Sequence, residues 1–245
     1  MIDPLNQFQI NRLIPISLGE WDISYTNSAL WMTIGLIIVC LFFHASLKRE
    51  ALVPNRLQAS SEIIFCFLSD MVKTYIGREG VPFFPFIFTL FWFVLIGNLL
   101  GLIPYSFTYT SHIVVTFTLA IVAFIAANVA GFKKHGIGMF SLLLPKGIPL
   151  FLAPLMIIIE LISYLARPFS LSIRLFANMM AGHLILKLFA SFSLMLGKSS
   201  LAVLGILPLI LNIGVTGLEF LVAVLQTYVF TLLTCLYIND AINLH

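Results

Sequence analysis

The chain has 245 residues, 60% hydrophobic and only 9% charged, with a formal net charge of +3 and a mean hydropathy of +1.07. This composition excludes a soluble domain, and the thin scatter of basic residues excludes a nucleic-acid binder. Long apolar runs, without the short alternating segments of a β-barrel, indicate an all-α polytopic membrane protein. Cys40, Cys66 and Cys235 are isolated in apolar or amphipathic surroundings, so neither a metal site nor a disulfide framework is expected. No cofactor motif is visible.

Residues 1–28 form an N-terminal segment that lacks a basic stretch followed by an apolar one. It is no signal or transit peptide, so the chain is expected to insert through its own spans or to be made where it works. A bilayer core of about 30 Å needs about 20 apolar residues per helix, and 29–47 supplies the first span, followed by Lys48, Arg49 and Arg56. Residues 55–76 are mixed: Leu57, Ile64, Phe67 and Leu68 recur at helical spacing among Ser, Glu, Asp and Lys. That pattern predicts an amphipathic helix lying at the membrane surface. A transmembrane hairpin follows over 83–132, one arm ending at Pro104 and the other stopping at Lys133, Lys134 and His135. Loops 48–80 and 133–146 hold most of the basic charge, which puts both on the cytoplasmic or matrix side and the N-terminus opposite.

Residues 148–240 depart from this pattern. One helical stretch reaches about 196, the polar turn GKSS follows at 197–200, and a second stretch reaches about 237. At 1.5 Å per residue they would be roughly 70 Å and about 55 Å long. Even a tilt of about 40° leaves the first too long for a bilayer. Pro154, Pro168 and Pro208 can kink these stretches without removing the excess. A C-terminal hairpin of two long, steeply tilted helices is expected, offering a lateral wall to a partner. The whole of 1–245 is expected to form a single membrane domain.

The hairpin carries patterned polarity. Glu160, Arg167, Arg174 and Asn178 fall on one helical face, and His183, with Lys187 near it, projects to the other. Asn212, Glu219 and Gln226 make a stripe on the second helix. Facing residues in an antiparallel hairpin have numbers with a nearly constant sum, which sets Arg174 level with Gln226 and His183 level with Glu219. A charge at the bilayer centre costs about 2.5–3.5 kcal/mol or more, so such residues face protein or water. Two readings compete. Arg174 could pair with Glu219 or Glu160 and hold the hairpin in register. Alternatively it is a gate: arginine cannot lose its proton, whereas histidine and buried glutamate exchange protons near neutral pH. A gate needs a titrating carboxylate supplied by another chain. Arg167, beside Pro168, reads as structural, snorkelling or pairing with Glu160.

At these residues, RPFSLSIRLFANMMAGH, Glu219, LQTYVF around Gln226 and the ending YINDAINLH, the chain resembles subunit a (subunit 6) of F-type ATP synthases, in its mitochondrial form. The opening PLNQF, GNLLGLIPY at 97–105 and LLLPKGIPL extend the resemblance over essentially the whole chain. It implies a stator beside a rotating c-ring, with peripheral-stalk subunit b, other Fo subunits and membrane lipid as partners. The long hairpin would flank the ring. Arg174 would separate two half-channels and meet the ring carboxylate, with Asn178 and Gln226 as polar neighbours. His183 and Glu219 would serve the half-channel on the proton-source side, a pair that many bacterial relatives carry exchanged. Glu160 would serve the exit on the matrix side, and Asp240 is linked to proton uptake. The implied location is the mitochondrial inner membrane, with a bacterial inner membrane as the alternative.

Other readings fare worse. GKSS lacks the glycine that a phosphate loop needs five residues earlier, where Phe192 stands. A secondary transporter would show internal repeats, and none is seen. A passive anchor leaves the arginine and the His/Glu pair unexplained. Nothing resembles a nucleophile with its base, so an enzyme is not expected on this chain.

Overall fold

The computed structural model describes residues 8–18, 21–22, 24–48, 54–103, 106–136, 138–139, 153–197 and 205–243. The LLLPKGIPL stretch, Pro104 and most of the GKSS turn lie outside the described residues. Six α-helices are found among those described: α1 (Asn27–Leu47), α2 (Arg56–Tyr75), α3 (Phe84–Gly101), α4 (Ile113–His135), α5 (Ala153–Gly197) and α6 (Ile206–Ile242). All but α2 are long and apolar enough to cross a membrane. The chain is an all-α polytopic membrane protein.

Local chemistry explains the helix ends. Thr26 caps α1 by accepting from the Ala29 N–H, and Asn55 caps α2 by accepting from the Arg56 N–H. A 3-10 turn over Arg78–Phe83 precedes α3. Lys133, Lys134 and His135, expected to follow the third span, instead form the last turn of α4. Cations are favoured there because the helix dipole is negative at its C-terminal end. Pro154 and Pro208 also fall in first turns, of α5 and α6. An N–H in a first turn has no helical partner, so these prolines start helices where kinks were expected. Only Pro168 is interior, and α5 is continuous across it for 45 residues.

Two short antiparallel pairs, β1 (Arg12–Ile14) with β4 (Tyr25–Thr26) and β2 (Ser17–Leu18) with β3 (Trp21–Asp22), precede α1. The sequence reading did not anticipate them. On α2 the buried residues are Ser61, Leu68, Met71 and Val72, whereas Leu57 and Phe67 are exposed. Of the stripe inferred from spacing only Leu68 is fully buried, while Phe65 and Phe67, both partly exposed, meet the rings of Phe84, Phe88 and Tyr228.

Chain contacts cluster into two compact units. The first holds the described residues of Met1–Arg49, Trp92–Val115 and Leu175–Thr227. Its packing depends on glycines in α3. A Cβ on Gly97 would meet the Tyr109 hydroxyl at 2.5 Å, and one on Gly101 would meet Thr108 Cγ2 at 2.6 Å. The bare backbone thus admits the segment after α3 against the helix itself. Tyr109 donates to the Phe93 carbonyl at 2.9 Å, and burial pushes its phenol pKa up, which keeps it a donor. Asn98 is fully buried and donates to the Ala223 carbonyl and to Thr227 Oγ1, both at 3.2 Å.

The second unit holds the described residues of Glu50–Phe91, Thr116–Arg174 and Tyr228–His245. There α4 presents Ala120, Ala123, Ala127, Ala130 and Gly131 as a buried stripe. Small residues at three- and four-residue spacing allow backbones to approach closely in a membrane, where hydrophobicity does not drive helices together. A Cβ on Gly131 would lie 3.0 Å from the Ala241 carbonyl oxygen. His135 Nε2 lies 2.5 Å from the Ile242 carbonyl oxygen, and Lys134 pairs with Glu79.

Candidate functional site

His183 and Glu219 belong to the first unit, on α5 and α6. Their side chains are only 11% and 3% exposed, with Nδ1 and Oε1 3.6 Å apart. The level predicted from hairpin numbering is therefore met for this pair. The other ring nitrogen, Nε2, lies 3.0 Å from Thr108 Oγ1, and the Phe8 ring stands edge-on to the imidazole with centroids 6.4 Å apart. Gly182 makes room for the acid: a Cβ there would fall 2.7 Å from Glu219 Oε1. Neither Glu219 oxygen has a hydrogen-bond partner among the described residues. Buried carboxylates are normally hydrogen-bonded; this one stands 3.6 Å from His183 Nδ1 without a hydrogen bond among the described residues.

One turn beyond Arg174, Asn178 Nδ2 donates to Gln226 Oε1 at 2.9 Å. Gln226 is buried, and its Nε2 finds no partner among the described residues. Asn212, the first member of the α6 stripe, is half-buried.

In the second unit, Arg167 donates to Asp240 Oδ2 at 2.9 Å. The guanidinium lies over the rings of Tyr164 and Tyr237, 5.3 and 5.5 Å from their centroids. Tyr164 in turn donates to Asn128 Oδ1 at 2.6 Å. Of the two expectations for Arg167, snorkelling or pairing with Glu160, neither is met: it pairs with Asp240. Seven-residue spacing puts Arg167 and Glu160 two turns apart on one helix, beyond easy reach, while α6 supplies an acid directly opposite. Glu160 is half-buried and makes no hydrogen bond or ion pair among the described residues.

Arg174 is exposed. It forms no hydrogen bond or ion pair among the described residues, and within its own unit the pairing with Glu160 that competed with a gate role is not made. A permanently charged guanidinium thus projects from the middle of an apolar helix of membrane-crossing length.

The family described as ATP synthase A chain matches residues 29–239. The chain belongs to the ATP synthase A chain family. It is 50% identical over 245 residues, the full length of both chains, to ATP synthase subunit a of Rhodospirillum rubrum. It is likewise 50% identical over 244 residues, 99% of this chain and 98% of the relative, to ATP synthase subunit a of Pelagibacter ubique.

Several site neighbours escaped the sequence reading. Thr108, Asn98 and Asn128 come from helices and turns far away in the chain, and no spacing connects them to the hairpin. Asn98 and Asn128 gave a signal only as amides inside otherwise apolar runs.

Proposed function

We propose that this chain is the non-catalytic, proton-conducting stator subunit of an F-type ATP synthase, and that it couples proton flow across the membrane to rotation of a c-ring. The observation that carries the proposal is Arg174, a fixed cation on an apolar helix, exposed and in no hydrogen bond or ion pair among the described residues. At about 2.5–3.5 kcal/mol or more for a charge in the bilayer centre, such a side chain needs an anion from elsewhere. A carboxylate carried past it by each c subunit supplies one. Arg174 draws each ring carboxylate into its ionised form as it passes, and it repels protons that would otherwise cross without turning the ring.

Two half-channels complete the cycle. His183 and Glu219 receive protons from the source side and hand them to the ring, with Asn178 and Gln226 as polar neighbours of Arg174. Glu160 collects protons on the exit side. Asp240 is bound to Arg167, two turns along α5 from Glu160, which favours a role as a fixed counter-charge near the exit over the proton-uptake role that the resemblance attaches to it. Peripheral-stalk subunit b and other Fo subunits hold the chain still against the ring. The relatives at 50% identity are bacterial, which favours a bacterial inner membrane over the mitochondrial one.

The test is Arg174→Ala in the assembled complex, with ATP synthesis measured under an imposed proton gradient. Synthesis is expected to vanish while the complex still assembles. Coupled synthesis at the wild-type rate would reject the gate.

A further inference from the structure

We infer that Thr108 is a positioning residue for His183, an inference that rests on reading His183 and Glu219 as the proton-source half-channel. The two imidazole nitrogens face different partners: Nδ1 stands 3.6 Å from Glu219 Oε1, and Nε2 stands 3.0 Å from Thr108 Oγ1. An imidazole that passes protons alternates between a bare and a protonated Nε2. A partner able only to donate, or only to accept, would hold the ring in one state and push it away in the other. A hydroxyl does both. It donates to bare Nε2 and, after turning about its C–O bond, accepts from Nε2–H. Thr108 therefore holds the ring angle, and with it the approach of Nδ1 to Glu219, through both protonation states.

The surroundings keep that hydroxyl in place. The Thr108 carbonyl accepts from the Ser111 N–H at 3.2 Å and from Ser111 Oγ at 2.6 Å, closing the turn over Tyr109–Ser111. Gly101 lies directly beneath the Thr108 side chain, at a distance that a methyl group would not permit. Thr108 is itself buried, at 5% exposure, so bulk water does not readily replace a lost hydroxyl. On the opposite side of the imidazole, Gly182 brings Glu219 close in the same way.

The experiment uses the whole ATP synthase reconstituted in liposomes, with ATP synthesis measured at a fixed proton gradient and assembly checked for each variant. Thr108→Val keeps the shape without the hydroxyl and is expected to slow synthesis about fivefold, the scale of one lost hydrogen bond. Thr108→Ser is expected to restore most of the rate. Thr108→Val combined with His183→Ala should be no slower than His183→Ala alone, since the hydroxyl acts only through the ring. A wild-type rate in Thr108→Val, no recovery in Thr108→Ser, or a further loss in the double variant overturns the inference. If His183→Ala is slow and Thr108→Val is not, only this inference falls. If His183→Ala runs at the wild-type rate, the half-channel reading falls and takes this one with it.

Discussion

Arg167 and Asp240 close to 2.9 Å, whereas His183 and Glu219 stop at 3.6 Å, and the two pairs differ further in what surrounds them. The first is a charge-assisted hydrogen bond enclosed by two tyrosine rings, one of them tied to Asn128. A guanidinium keeps its proton, so this pair has a single state. The second pair is more deeply buried, and its carboxylate has no hydrogen bond among the described residues. Both of its members can gain or lose a proton. On the function proposed above, cation and acid on facing helices serve different ends: the close pair with arginine fastens two helices, and the loose pair with histidine is a place for a proton to stop.

The largest expected effect that would sharpen this contrast is at Glu219. Glu219→Gln keeps the shape but cannot carry a proton, and proton-driven ATP synthesis should fall about a hundredfold, at the low end of what acid–base groups contribute. Asp240→Asn should change the same rate far less. Equal losses at the two positions would erase the distinction between relay and fastener.

A smaller effect tests the scaffold of the unit that holds His183 and Glu219. Gly97→Ala would push a methyl into the Tyr109 hydroxyl and should destabilise the assembled subunit by about 1–3 kcal/mol, as overpacking does. Gly214→Ala, with nothing within 4 Å of the added Cβ, is the control and should be neutral or slightly stabilising. Thermal unfolding of the detergent-solubilised complex reads both. An unchanged Gly97→Ala would mean that the segment after α3 does not depend on this close approach.

The spans were legible because each apolar run is close to the length a bilayer demands, and charges or capping residues mark its ends. The long hairpin was legible for a related reason: 45 and 37 helical residues in α5 and α6 exceed any upright crossing. Within it, the His183–Glu219 pairing followed from simple antiparallel numbering. What stayed hidden depends on tertiary contact. The strands before α1 are two or three residues long, too short for alternation to register. Arg167 was read as snorkelling or pairing with Glu160 on its own face of α5, but the shorter reach is across to Asp240 on α6. Thr108 is 75 residues from His183 and Asn98 is 129 from Thr227, so no local pattern could join them. Arg174 shows the converse. Its proposed role comes from chemistry alone, and the structure adds that the side chain is exposed, with no hydrogen bond or ion pair among the described residues.

The smallest expected effect asks whether the Arg167–Asp240 pair is only a fastener. Both side chains are partly open, at 25% and 36% exposure, so the pair contributes less than a fully buried one. Arg167→Met should cost about 1 kcal/mol of stability, near the upper range for exposed pairs, because it strands the acid and removes the cation from the two tyrosine rings. Arg167→Met with Asp240→Leu should be less damaging than Arg167→Met alone, since replacing both charges leaves no unpaired acid. ATP synthesis per assembled complex should stay within about twofold of wild type in the double variant, a difference of well under 1 kcal/mol in barrier. If synthesis instead collapsed while thermal stability held, Asp240 would belong to the proton path itself, and the contrast between the two pairs would be one of geometry without a difference in task.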